Sequence, residues 1–243
     1  MATTTRTVDL ARDDVDHIVH PVTAYVDHER NGPLVIVEGK GIWVTDADGK
    51  QYLDSLACLW NVNVGHGRAE IGAAMAEQVK EIAFAPSFWG ISNVPAIKLA
   101  KRLAEIFPDG IARFFFTSGG SESNETAFKM ARYYHRARGK TDKHKIIARH
   151  GGYHGVSYGA LSATGIQAYH DNFGPLVPGF VHIPPPNLYQ YPEWREGQPL
   201  PAACTGQALE QKILEEGPDT VAAFVAEPVQ GVGGVIAPPD EYW

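Results

Sequence analysis

The apolar residues of this chain recur with two different spacings, which predicts a mixture of helices and strands. Apolar residues three or four positions apart form one face of a helix; the predicted helices cover residues 68–83, 94–106, 122–138 and 208–215. Short apolar runs bounded by turn residues are typical of strands; the predicted strands cover residues 34–37, 42–45, 51–54, 113–117, 145–149, 180–183 and 220–226. The first three strands follow one another closely and should form an antiparallel meander. Residues 1–33 are expected to form an irregular arm, and a short helix after Arg12 is the alternative.

Beyond residue 94 the predicted helices and strands alternate, which is typical of a largely parallel sheet covered by helices. We therefore predict an α/β fold. Ligands in such sheets bind beyond the carboxyl ends of the strands. Three segments directly follow predicted strands and should converge on one rim: Ser118–Ser121, Tyr153 and Glu227. The helix over 122–138 should face the sheet through Ala127, Met130, Ala131 and Tyr134.

Residues 114–121, Phe-Phe-Phe-Thr-Ser-Gly-Gly-Ser, predict a buried strand that stops in a glycine-rich turn and opens into a helix. Free N–H groups and the helix dipole make such a turn a site for a phosphate group. The turn lacks the Lys-Ser/Thr ending of a nucleotide P-loop and the spacing of a dinucleotide-binding loop. Backbone amides and the Ser121 hydroxyl would hold the phosphate, but a plain turn capped by Ser121 explains the pattern equally well.

The run Gly151-Gly152-Tyr153-His154-Gly155 leaves room for a flat ligand beside a tyrosine face. Offset stacking on Tyr153 would suit an aromatic ring. A loop with a packed tyrosine is the simpler interpretation of this run by itself. His150 and His154 are four residues apart, but the glycines between them oppose a helix and no third ligand is evident, so we predict no metal site.

Two further groups could line a site. Trp60, Phe88 and Trp89 could form an aromatic wall for a small substrate, although such residues more often belong to a core. Glu227 stands at a predicted strand end before Pro228 and a glycine-rich stretch, where an ordinary surface turn is the alternative.

Composition narrows the classes of protein. The formal net charge is −7 without a long basic run, which argues against nucleic acid or an anionic membrane as partner. No apolar run approaches the ~20 residues that span a bilayer. The two cysteines, Cys58 and Cys204, lack metal-type spacing and indicate free thiols in a reducing cytoplasm. The sequence stops at Trp243 just after a strand-like run, so we expect a longer protein.

Taken together, four motifs resemble the class III aminotransferases, which use pyridoxal 5′-phosphate. They are Ser-Gly-Gly-Ser-Glu-Ser-Asn, Tyr-His-Gly, Leu-Trp-Asn-Val-Asn-Val-Gly-His-Gly and Ala-Glu-Pro-Val-Gln-Gly. The resemblance covers essentially the whole chain, in the family's order, and is closest to the ω-amine or ω-amino acid:pyruvate branch. It implies fold type I, with residues 1–67 as an arm and small-domain segment and residues 68–243 as a large cofactor-binding α/β domain, incomplete at its C-terminal end.

The resemblance also implies roles for residues. The amides of Gly119 and Gly120 and the amide and hydroxyl of Ser121 would hold the cofactor phosphate. Tyr153 would stack on the pyridine ring, and Glu227 would support the cofactor's hydrogen bonds. The substrate pocket would be lined by Trp60, Phe88 and Trp89. Many relatives carry serine where this chain has Gly119, so one hydroxyl contact is missing. A homodimer or a dimer of dimers is expected.

The covalent chemistry of the family is not encoded before Trp243. The resemblance places the Schiff-base lysine, and the aspartate that faces the pyridine nitrogen, further along the sequence. Three hypotheses therefore stand. The whole protein transfers an amino group from an ω-amine or ω-amino acid to pyruvate; the 243 residues are a non-catalytic truncated or split form; or the protein catalyses a sister reaction with another acceptor, a decarboxylation or an amino shift.

Overall fold

The computed structural model describes residues 2–243, with side chains from residue 9. Its contacts divide the chain into two compact units, Met1–Gly110 and Ile111–Trp243. The boundary after residue 67 that the resemblance implies stays a prediction. None of the helices in the described chain is long and apolar enough to cross a membrane.

The helices are numbered in chain order. They are α1 Ala2–His17, α2 Tyr25–Asn31, α3 Ala57–Trp60, α4 Ala69–Glu81, α5 Val94–Ile106, α6 Gly120–Ala137, α7 Tyr158–Ala163, α8 Gln167–His170 and α9 Gln207–Glu216. The strands are β1 Ile36–Lys40, β2 Trp43–Asp46, β3 Gln51–Leu53, β4 Lys145–Arg149, β5 Phe180–Ile183 and β6 Val221–Phe224. Short 3₁₀ turns cover Leu188–Gln190, Ala202–Cys204 and Asp240–Tyr242.

The first unit contains the predicted antiparallel meander, β1-β2-β3. The predicted helix over 94–106 is confirmed as α5, whose first turn is capped because the Asn93 side chain accepts a hydrogen bond from the Ala96 amide at 3.0 Å. The expectation of an irregular arm is wrong, because α1 and α2 occupy most of residues 2–31; the alternative of a short helix after Arg12 falls within α1. Polar and charged residues dominate both helices, which hides the apolar spacing that would have indicated them.

The second unit contains a parallel sheet in the order β5-β4-β6, which confirms the predicted α/β arrangement. The central strand β4 carries the core, since Ile146, Ile147 and Ala148 are fully buried. Phe128 of α6 packs edge-on against Phe180 of β5, with ring centroids 5.3 Å apart. Burial of these side chains holds α6 and the strand ends in fixed positions.

Two predictions for the second unit are wrong. Residues 113–117 belong to no strand of the described chain, since an apolar run does not by itself decide whether a segment joins a sheet. The stripe predicted for α6 is also displaced. Ala127, Met130 and Tyr134 are exposed. Ala131 does pack against the core as predicted, beside the buried Phe128, which the predicted stripe omitted.

Candidate functional site

The first element of the site is the turn that opens α6. The backbone is extended at Gly119, and α6 begins at Gly120. The first N–H groups of a helix have no carbonyl partner within it, so Gly120 and Ser121 offer donors at this end. A cavity of about 440 Å³ lies over the turn, lined by Ser118, Gly119, Gly120, Ser121, Glu122, Glu125 and Ser157. The turn that the sequence predicts at Ser118–Ser121 therefore faces a cavity that a ligand can enter.

One carboxylate already accepts hydrogen bonds from this turn. Glu122 Oε2 accepts hydrogen bonds from the Ser118 hydroxyl and, at 2.9 Å, from the Ser118 amide. These bonds, the hydroxyl first, hold the pKa of Glu122 below its ordinary value. The Ser118 amide is thus committed to Glu122, and the donors left for a ligand are those of Gly119, Gly120 and Ser121.

The second element is the loop after β4, which packs directly against the turn. Ser121 Oγ accepts a hydrogen bond from the Val156 amide at 3.2 Å, and Asn124 Nδ2 donates to the His154 carbonyl at 2.7 Å. A Cβ at Gly155 would stand 2.3 Å from Ser121 Oγ and 2.9 Å from Ser121 Cα, and φ at Gly155 is +116°. Only glycine allows this approach, so the Tyr-His-Gly motif and the turn form one structure.

The third element is Glu227, which follows β6 and binds the loop after β4, called the Tyr153 loop below. Its Oε1 accepts from the Tyr153 amide at 3.0 Å, and its Oε2 accepts from the Gly231 amide at 2.9 Å. The carboxylate therefore joins the segments that follow β4 and β6. The three segments expected at one rim, Ser118–Ser121, Tyr153 and Glu227, are brought together in this unit. The Tyr153 ring meets Tyr169 edge-on at 6.2 Å.

Several supporting residues were not found by sequence reasoning. Thr164 Oγ1 accepts from the His154 amide at 2.8 Å and donates to the Gly155 carbonyl at 2.9 Å. Gln230 Nε2 donates to the His150 carbonyl at 3.0 Å, and Arg149 Nη2 donates to the Glu227 carbonyl. Gln230 lies inside the quoted Glu-Pro-Val-Gln-Gly motif and could have been singled out, whereas Thr164 carries no signal in the sequence.

Glu125 was also missed, and it fixes the far wall of the cavity. Its Oε1 accepts from the Ser157 hydroxyl at 2.7 Å and from the Gly159 and Ala160 amides at 2.8 and 3.0 Å. A side chain of α6 therefore caps the first turn of α7, where donors would otherwise be unpaired. The same helix thus opens the turn and holds the loop that faces it.

Burial also sets the charge state of a residue behind the loop. The pKa of His154 is lowered because the side chain is buried, an effect that Glu227 opposes and Arg149 reinforces. Its Nε2 has no hydrogen-bond partner in the described chain. Burial therefore favours the neutral form of His154.

The residues predicted to bind substrate lie in the first unit. Phe88 and Trp89 face each other at 5.7 Å, and Trp89 is 90% exposed. Trp60 ends α3, a single turn with positive φ at all four of its residues. All three aromatic rings are more than half exposed, so they are surface rings of this unit and not core.

Three comparisons place this geometry among known proteins. The family model "Aminotransferase class-III" matches residues 24–243. The putrescine–pyruvate aminotransferase of Pseudomonas aeruginosa is 40% identical over 94% of this chain and 50% of its own length. An (S)-enantioselective ω-transaminase of Thermomicrobium roseum is 50% identical with a TM-score of 0.90, over 97% of this chain and 52% of that one.

A third relative was solved with a bound cofactor form. The ω-transaminase of Pseudomonas jessenii in complex with PMP is 38% identical with a TM-score of 0.88, over 96% of this chain and 52% of that one. The chain thus spans about half the length of the relatives it matches. The likeness confirms the expected α/β fold of type I. This chain belongs to the class III aminotransferase family.

Proposed function

We propose that the protein containing this chain is a pyridoxal phosphate-dependent aminotransferase that moves an amino group from an ω-amine or ω-amino acid to pyruvate. Membership of the family supports the reaction class and the cofactor. The names of two relatives, a putrescine–pyruvate aminotransferase and an ω-transaminase, support the donor class and the acceptor. The observation that carries the proposal is the union of the Gly119–Ser121 turn, the Tyr153 loop and Glu227 by direct hydrogen bonds.

The residues present fit the phosphate end of this cofactor. A Cβ at Gly119 or Gly120 would meet no heavy atom within 4 Å, so the backbone amides are open on that side. A helix start binds a phosphate group through its amides and its dipole without a basic side chain. The amides of Gly119, Gly120 and Ser121, with the Ser121 hydroxyl, would hold the phosphate group.

The ring end would be oriented by the loop that follows β4. Tyr153 would stack on the pyridine ring, and Glu227 keeps the Tyr153 backbone in place through its amide. When bound, the cofactor supplies an electron sink for the carbon that carries the amino group. The lysine that attaches it and the aspartate that faces its nitrogen are proposed to follow Trp243 in the full-length protein, since the matched relatives are about twice as long.

The substrate would meet the aromatic side chains of the first unit. We propose that Trp60, Phe88 and Trp89 contact the donor's apolar part, because exposed rings offer area for it. We also propose that the protein acts in the cytoplasm as a homodimer or a dimer of dimers.

The test is made on the full-length protein. Purified protein should show the visible absorbance of bound pyridoxal phosphate, and this band should bleach when putrescine is added. Alanine should then form from pyruvate. Ser121→Ala should weaken cofactor binding roughly tenfold, the effect of one lost hydrogen bond to a charged group, whereas Thr141→Ala at an exposed position of the same unit should not.

Other outcomes decide between the hypotheses. A colourless full-length protein that ignores amine donors contradicts the proposal and favours the non-catalytic form. Coloured protein that makes glutamate from 2-oxoglutarate but no alanine from pyruvate supports the sister reaction with another acceptor. A stop codon directly after Trp243 would favour the truncated form before any assay.

A further inference from the structure

A cluster of metal-ligating side chains that the proposed function does not use lies in the first unit. Asp14 comes from α1, His28 from α2 and His20 from the segment that joins them. Asp14 Oδ1 is 2.9 Å from His20 Nε2 and 3.0 Å from His28 Nε2. One carboxylate oxygen therefore faces two imidazole nitrogens at once.

The three side chains are sheltered from solvent. The exposed fraction of the side chain is 7% for His28, 16% for Asp14 and 33% for His20. The two imidazole rings lie 4.6 Å apart between centroids and are tilted by 54°. One potential ligand atom from each residue lies within 4.8 Å of the others. The more open side at His20 would let an ion and its water enter.

The chemistry of these ligands suits a borderline divalent cation. Zinc commonly takes imidazole nitrogen and carboxylate oxygen at roughly 2.0–2.1 Å, with three protein ligands and one water in open sites. In a tetrahedral site those bond lengths place two ligand atoms about 3.3 Å apart. The observed separations of 2.9 and 3.0 Å would need to widen by only a few tenths of an ångström. Two imidazoles argue against Mg²⁺ or Ca²⁺, which prefer oxygen.

We propose that Asp14, His20 and His28 form a binding site for Zn²⁺ that fastens α1 to α2. The Tyr25 hydroxyl of α2 also contacts α1, since it donates to the Val15 carbonyl at 2.7 Å. The family model begins at residue 24, so two of the three ligands precede it. None of the three residues has a role in the transaminase chemistry proposed above.

A second group in the same unit is less suitable. Asp54, Cys58 and His66 also have ligand atoms near one another. However, both Asp54 carboxylate oxygens accept from the Cys58 amide, at 3.0 and 2.9 Å, and His66 Nε2 lies 2.9 Å from Asp54 Oδ2. The Asp54 carboxylate is thus bound to the backbone, whereas the contacts described for the Asp14 carboxylate are to the two imidazoles of the cluster.

The experiment is a zinc titration of the full-length protein loaded with its cofactor. Calorimetry and metal analysis should find one tightly bound zinc per chain, and zinc should raise the thermal unfolding midpoint. Asp14→Ala and His20→Gln should each weaken zinc binding at least ~10-fold, because losing even an outer partner of a ligand costs about that much. His17→Gln, at an exposed histidine of the same helix, should bind zinc as the unsubstituted protein does.

Folding and the rival group are controlled separately. Since His28 is buried, the partly exposed His20 decides the test, and circular dichroism of His20→Gln must match that of the unsubstituted protein. Equal zinc affinity in His20→Gln and the unsubstituted protein would overturn the proposal. So would the absence of saturable binding, or a loss of binding in Cys58→Ala alone, which would assign the zinc to the second group.

Discussion

The two units of the chain differ in how firmly they hold the residues proposed to bind cofactor and substrate. In the second unit, the turn at α6, the Tyr153 loop and Glu227 are joined by hydrogen bonds above a fully buried strand. In the first unit, Trp60, Phe88 and Trp89 are largely exposed. Within residues 9–110, for which side chains are described, only His28, Val44 and Asp46 are buried.

The proposed cofactor residues and the proposed substrate residues are thus held in different ways. The proposed phosphate site depends on backbone positions, which the sheet and α6 fix within one unit. The proposed substrate residues depend on side-chain rings that no core of their own unit immobilises. We therefore expect substitutions at the rim of the second unit to affect folding and cofactor together, and substitutions of the exposed rings to affect substrate alone.

The largest effect is expected for Gly155→Ala. The new Cβ would stand 2.3 Å from Ser121 Oγ and 2.9 Å from Ser121 Cα, at a φ of +116° that alanine avoids. Overpacking and backbone strain together should lower the free energy of unfolding by roughly 3 kcal/mol, and cofactor binding should be lost. Urea unfolding and cofactor absorbance measure both.

A second glycine, Gly206, is a control that distinguishes this steric clash from a general effect of replacing glycine by alanine. Gly206 has φ −67°, and a Cβ there meets nothing within 4 Å. Gly206→Ala should leave the unfolding midpoint and the cofactor absorbance unchanged. If Gly155→Ala behaves in the same way, the close approach of the Tyr153 loop to the turn is not required for the site.

The next effect is expected for Glu227→Ala, which tests the link between the strand ends. The Tyr153 and Gly231 amides would lose their acceptor. Cofactor affinity should fall roughly tenfold or more, since a hydrogen bond to a charged group contributes about that much. Titration of the cofactor into the stripped protein gives the affinity. The exposed Glu193→Ala serves as control, and equal losses in both variants would show that Glu227 does not orient the loop.

Acid should act on the two units in different pH ranges. Burial lowers the pKa of His154 and of His182 from the ordinary 6.5, so the unfolded chain takes up protons first as the pH falls. The free energy of unfolding of the second unit should have its full value above pH 6.5 and should decrease as the pH falls through the lowered pKa values of these histidines.

In the first unit, hydrogen bonds from the Cys58 amide and His66 lower the pKa of Asp54 from 3.8 to about 2. Its contribution should persist above 3.8 and disappear as the pH falls to about 2.

Urea unfolding midpoints at a series of pH values check this. His154→Asn should remove part of the decrease in the unfolding midpoint below pH 6.5, the ordinary pKa of histidine. Substitution of the exposed His17 by glutamine should leave the pH dependence of the midpoint unchanged. If the unfolding midpoint stays constant as the pH falls below 6.5, protonation of the buried histidines does not destabilise the folded protein.

Much of the second unit could be predicted because its signals are local. The helix at α6, the strands β4, β5 and β6 and the glycine-rich motifs follow from apolar spacing and turn residues alone. The strand expected over 113–117 failed because pairing depends on a neighbour that local sequence does not specify. The buried face of α6 was predicted correctly at Ala131 but not at Met130 and Tyr134, which are exposed, and it omitted the buried Phe128.

The site itself was only partly predictable. Ser121, Tyr153 and Glu227 could be named from motifs. The rule for parallel sheets predicts the convergence of Tyr153 and Glu227, which follow β4 and β6, but it does not account for Ser121, because residues 113–117 form no strand in the described chain. Thr164 and Glu125 could not, because each acts through hydrogen bonds to backbone groups that lie 9 to 35 residues away along the chain. Such contacts follow from tertiary packing, and no spacing in the sequence marks them.

The smallest effect on stability, and the sharpest test of the comparison, is expected for Trp89→Ala. Because the ring is 90% exposed, its removal should change the free energy of unfolding by no more than about 0.5 kcal/mol. If Trp89 contacts the donor, KM for a bulky aromatic amine should rise while cofactor absorbance stays the same. Tyr189→Ala, at an equally exposed ring of the second unit, should change neither. A Trp89→Ala protein that unfolds much earlier, or that loses its cofactor, would place this ring in a core and remove the distinction between the two units.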